Sequence, residues 1–94
     1  MSRTLATRIR RLLQKGKYFA TAHALEEMEE DGLFDSDVIA AAESMTSLER
    51  QTGDPRGTRV VFEGGSQGRR LGVAGRITPM GRFMIITVYE IKER

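Results

Sequence analysis

"RRLGVAGRITPMGRFMIITVYEI", residues 69–91, reads as two strands and the turn between them. Leu71, Val73, Gly75 and Ile77 alternate with Arg70, Gly72, Ala74 and Arg76. That two-residue period belongs to a strand with one buried face. The first set suits a covered face. The second leaves two arginines flanking a floor of small residues, a shallow basic groove. "TPMG" is turn chemistry. Beyond it the strand is apolar on both sides: Phe83, Ile85, Thr87 and Tyr89 fall on one by parity, and Met84, Ile86 and Val88 on the other. Such a strand is expected to be central and covered on both faces.

Upstream, "TRVVFEG" (58–64) and "SLERQTG" (47–53) have the same character, set off by the turn-like "GDPRG" (53–57) and "GGSQG" (64–68). Short links make successive strands antiparallel neighbours. The first half is different. Leu5, Ile9, Leu12 and Leu13 form one apolar stripe within a helix from Ser2 to about Lys15, which Gly16 ends. A second helix starts near Thr21, an N-cap residue type, buries Ala24, Leu25 and Met28, and stops at Gly32. Asp35 or Ser36 would cap a third, with Val38, Ile39, Ala42 and Met45 on its apolar side. Helices over about 2–45 and strands over about 47–91 predict one α+β domain spanning 1–94. Its N-terminal helices would pack on one face of a small antiparallel sheet, in the order α-α-α-β-β-β-β.

A chain of 94 residues has room for a single core, with net stability on the order of 3–5 kcal/mol. A partner or a homodimer would add to it. With no cysteine, disulfides and thiolate zinc sites are excluded, which suits a reducing cytoplasm. No apolar stretch approaches the roughly 20 residues of a membrane span. The basic, amphipathic start "MSRTLATRIRRLLQKGK" has transit-peptide character, but its apolar positions fit a first structural helix. Net charge is only +2, yet it is unevenly spread. Residues 1–17 carry six cations and no acid, 26–54 carry ten acids and one arginine, and 55–94 carry eight cations and three acids. Opposite faces could therefore meet two different partners. The competing reading is solvated surface with paired charges.

His23, Ala24, Met28, Gly32 and Leu33, then Asp37 and Val38, and finally "IITVYE" (85–90) follow one another in an order that resembles the DUF4258 family of small bacterial proteins. The likeness runs from about residue 18 to residue 90. Such domains are in turn similar to the RelE-like toxin fold, in which helices pack on a small antiparallel sheet. The resemblance implies a toxin-family protein that binds RNA, free or on the ribosome, and cleaves it as an mRNA interferase. It also implies an antitoxin protein as partner. This chain departs from the family at two positions, where Glu27 and Asp31 replace arginines. A carboxylate repels the phosphate that an arginine would grip, so this helix face should meet RNA poorly. A non-enzymatic protein-interaction module of the same fold is the alternative.

Within that resemblance, a metal-independent endoribonuclease needs a base, an acid and a cation for the phosphorane charge. His23, Tyr89 and Arg76 are the candidates for those roles. Arg69, Arg70 and Arg82 are candidates for RNA contact. Each has a plainer reading. His23, the only histidine, fits the first turn of a helix, paired with Glu27 four positions on. Tyr89 fits core packing with its hydroxyl at the rim. The arginines fit edge charges that deter sheet aggregation. "GGSQG" lacks the Lys-Ser/Thr and the following helix of a phosphate loop. The acids of 26–31 spread around a helix, so no metal and no cofactor is expected.

Overall fold

Thr4 opens the first helix by accepting the Thr7 N–H on its hydroxyl oxygen at 3.1 Å, and Leu5–Gln14 follow as α1. Its end is closed by two backbone hydrogen bonds around a glycine: Gly16 N–H donates to Leu13 O, and Lys17 N–H to Leu12 O. The structure, a computed structural model, describes residues 4–51 and 58–92. The expected "GDPRG" turn and the helix start at Ser2 lie outside them.

After α1 comes a strand that the sequence does not announce, β1 (Tyr18–Ala20). Next are α2 (Ala22–Asp31), α3 (Asp35–Glu43), β2 (Ser47–Gln51), β3 (Arg59–Ser66), β4 (Arg69–Ile77) and β5 (Phe83–Ile91). The strands lie in the order β1-β5-β4-β3-β2. β2 to β5 pair antiparallel as expected, but β1 runs parallel to β5, Tyr18 opposite Phe83 and Ala20 opposite Ile85. The sheet is therefore mixed. Three residues are too few to show alternation, and a parallel neighbour has no local turn to signal it.

The fold class otherwise holds: three helices pack on one face of the sheet. Ile9 and Leu13 from α1, Ala24 and Met28 from α2, and Val38, Ala41 and Ala42 from α3 are buried against Val60, Phe62, Leu71, Val73, Phe83, Ile85 and Val88. Fully burying one of the larger of these contributes about 1.5–3 kcal/mol. Gly64 lets α3 close on β3, since a Cβ there would lie 1.9 Å from the Ala41 carbonyl oxygen. Asp37 ties the same helix down. Its carboxylate accepts the Ser66 hydroxyl at 2.7 Å and the Phe34 N–H at 2.9 Å. These bonds hold the Asp37 carboxyl below the ordinary aspartate range. The N-cap of α3 is thus Phe34, not Asp35 or Ser36. Asp37, at the third helical position, accepts the Phe34 N–H and so supplies the half of a capping box that comes from inside the helix.

The alternation expected for β4 is observed, with Leu71 and Val73 fully buried beneath the helices. In β5 the parity breaks. Ala74 pairs with Thr87, but Gly75 pairs with Ile85, so Ile86 is an extra residue, a β-bulge. Phe83, Ile85 and Val88 consequently point to the core, while Thr87 and Tyr89 share the other face with Met84. β5 is not covered on both sides: Tyr89 is 38% exposed. β4, between β3 and β5, is the central strand. Among the described residues no helix is long and apolar enough to cross a membrane.

Candidate functional site

The helix-free face of the sheet is built by register. A two-residue turn, Gln67–Gly68, with both residues at positive φ, sets β3 against β4 so that Arg59 stands directly opposite Arg76, Val61 opposite Ala74 and Glu63 opposite Gly72. β5 then places Thr87 beside Ala74 and Tyr89 beside Gly72. The face thus has a cationic end, a small-residue centre and an aromatic end.

At the cationic end, two guanidinium side chains occupy one cross-strand pair. Like charges so placed cost stability, on the order of 0.2–1 kcal/mol. Arg76 is only 6% exposed, and the buried Arg59 Nε has no hydrogen-bond partner among the described residues. A cleft of about 420 Å³ opens beside them. Its walls add the hydroxyls of Thr21 and Thr78 and the apolar side chains of Met84 and Ile86. The Thr21 hydroxyl donates to Ile86 O and accepts the Ala24 N–H, whereas Thr78 Oγ1 accepts the Arg82 N–H and keeps its own proton to donate. Two guanidiniums, a hydroxyl donor and apolar side chains together suit the cleft to an oxyanion.

At the aromatic end, the Tyr89 ring covers Gly72 so closely that a Cβ there would fall 2.2 Å from Cζ. Arg70, on the same face, donates to Thr46 Oγ1 at 3.0 Å and to Glu63 Oε1 at 3.3 Å. Its charge is largely spent within the sheet.

The other expected residues are scattered. Arg69 does not belong to this face. Adjacent strand residues point to opposite sides, and Arg69 lies on the helix side, where it bonds Glu90 Oε1 and Asp31 O, each at 2.7 Å. That pairing lowers the Glu90 carboxyl below its usual range and raises the Arg69 guanidinium. Arg82 is exposed beside the β4–β5 turn. His23, its side chain 67% exposed in the first turn of α2, has Nε2 3.4 Å from Glu27 Oε2. Glu27 itself accepts the Val88 N–H at 3.1 Å. The Glu27 carboxylate therefore serves the β5 backbone just past the bulge, a bond no arginine could accept.

Tyr89 and Arg76 mark opposite ends of the face. Gly72 and Arg76 are four strand residues apart, roughly 13 Å at about 3.3 Å per residue. His23 is held on α2 by Glu27. A base, an acid and a cation on one scissile phosphate would each need to come within about 3 Å of it. Arg59 and the cleft threonines were missed in the sequence. Alternation in "TRVVF" puts Arg59 opposite in parity to Val60 and Phe62, but its pairing with Arg76 needs the turn register. Among the described residues, no three of His, Cys, Asp and Glu gather as a metal set.

Against known families, residues 20–90 match the model of the domain of unknown function DUF4258. The chain belongs to that family. The matched span runs from the end of β1 to the penultimate residue of β5 and leaves α1 outside. No curated protein and no solved structure matches the chain.

Proposed function

We propose that this chain is a RelE-like, toxin-family protein that binds single-stranded RNA on the helix-free face of its sheet. Arg59 and Arg76 grip a phosphate, and the Tyr89 ring offers a stacking surface to a base. The observation that carries the reading is the cross-strand arginine pair beside an open cleft. A cationic groove with an aromatic platform is the usual equipment for single-stranded nucleic acid. In this reading the protein acts in the cytoplasm on free or ribosome-bound RNA, and an antitoxin partner restrains it.

Cleavage is a further step of the same proposal. It assigns proton transfer to His23 and Tyr89 and phosphorane stabilisation to Arg76, and requires side-chain reach or movement of α2 to close the roughly 13 Å between the Tyr89 and Arg76 positions. The test is incubation of labelled RNA with the intact chain in the presence of a chelator. The expected result is binding weakened in Arg59→Gln, with cleavage abolished in His23→Ala and Tyr89→Phe. Tight binding without cleavage reduces the activity to RNA recognition. Absence of RNA binding overturns the proposal in favour of the protein-interaction module. Glu27 no longer argues for that module, because its bond to Val88 accounts for the carboxylate.

A further inference from the structure

A second concave surface lies on the helix layer, away from the cationic cleft. Met28 and Leu33, both nearly buried, floor a groove between α2 and the start of α3. Leu25 and Phe34 rise from it, 52% and 70% exposed, and Glu29 and Asp35 stand at its rim. The groove encloses about 520 Å³.

Phe34 is the informative residue. It occupies the N-cap of α3, where Ser, Thr, Asp or Asn would stabilise the helix, and its side chain makes no capping bond. The Phe34 backbone is already served by Asp37. The ring therefore does little for the helix and little for the core, and it stands in water. Leu25 likewise projects from a helix whose buried side is Ala24 and Met28. Two large apolar side chains beside one groove, rimmed by charge, mark a surface built for contact.

The rim specifies the partner's sign. Glu29 at the rim is exposed, as are Glu26 and Glu30 elsewhere on α2, and among the described residues none of them is in an ion pair. Asp35 accepts the Tyr18 hydroxyl and stays exposed. No cation lines the groove.

We infer that this groove binds a cationic amphipathic helix of a partner protein. Apolar side chains spaced one helical turn apart would seat between Leu25 and Phe34, with lysines or arginines on either flank facing the acids. The surface is separate from the arginine cleft, and the inference stands or falls without the RNA reading.

The experiment titrates the full chain with a designed helical peptide of leucines at one-turn spacing and lysines elsewhere, followed by amide shifts. The controls are the same peptide with glutamates for lysines and a scrambled lysine peptide. The lysine helix is expected to bind saturably, weaken with salt, and shift the amides of residues 25–36. Phe34→Ser, an exposed change to a preferred N-cap residue that keeps thermal unfolding at or above the parent value, should weaken it at least about tenfold. Glu29→Lys should weaken it too, and neither variant should alter RNA binding. The inference is overturned by equal binding of the glutamate or scrambled peptides, by shifts confined to the arginine face, by unchanged affinity in Phe34→Ser, or by no saturable binding of the lysine helix.

Discussion

Glu27 shows how one residue can look functional in sequence and prove structural in space. Its carboxylate takes the Val88 N–H and stands beside His23, filling the hydrogen-bonding place that β1, only three residues long, does not reach. Removing it should cost about 1 kcal/mol, the usual worth of such a bond at a half-exposed site. Glu27→Ala is therefore expected to lower the urea midpoint and speed amide exchange at Val88, while Glu27→Gln, which keeps an acceptor, changes both less. An arginine at 27, which cannot accept the Val88 N–H, should behave like alanine here. Unchanged Val88 exchange in Glu27→Ala would remove this role. Asp37 is the other residue whose partners define it, and it predicts a pH effect. Its folded carboxyl sits below its unfolded value of about 3.9. Its contribution is therefore complete above that value and is lost as the pH falls through the lower, folded one. Asp37→Asn should cost about 1–3 kcal/mol near neutrality and flatten the fall of stability below about pH 4. Urea melts between about pH 3 and 7 check this, and an acid slope equal to the parent's would contradict it. Glu90, held low by Arg69, adds to the same acid limb in the parent and the variant alike.

At the scale of elements, close approach at glycine decides what packs. Gly64→Ala and Gly72→Ala are the same chemical change with different obstacles. At Gly64 the new methyl meets the backbone of Ala41; at Gly72 it meets the Tyr89 ring. A side chain can swing away and a docked helix cannot, so Gly64→Ala should cost about 3 kcal/mol or more and Gly72→Ala about 1. Thermal melts of the two variants test the order, and tyrosine fluorescence should change only in Gly72→Ala. Equal costs would mean that α3 is free to shift. The sequence was legible wherever a period ran uninterrupted. The β4 alternation assigned Arg70 and Arg76 to one face correctly, and Thr21 and Gly32 bracketed α2. It was illegible where pairing across strands decided the outcome. Nothing in "IITV" marks Ile86 as the bulge that turns Tyr89 onto the open face, and three residues of β1 carry no pattern. Phe34 became an N-cap because Asp37 satisfies its backbone, a contact that residue type alone does not disclose. Arg69 and Arg70, neighbours in the chain, had to part to opposite faces once both lay within β4.

For the whole molecule, a net charge of +2 is too small to draw a polyanion by itself, so binding depends on where the cations are gathered. The sheet sets Arg59 opposite Arg76 at one end of its helix-free face, pairs Arg70 with Glu63 on that face and Arg69 with Glu90 on the other, and leaves the acids of α2 on the helix layer. The candidate site is thus a product of register more than of composition. The most direct test is the affinity of a fluorescent single-stranded RNA for the intact chain, measured from about 50 to 200 mM salt. Two phosphate contacts should give a slope of log affinity against log salt near −1.4, about −0.7 each, and Arg59→Gln should make it shallower by about 0.7. An affinity indifferent to salt, or a slope that Arg59→Gln leaves untouched, would contradict the account.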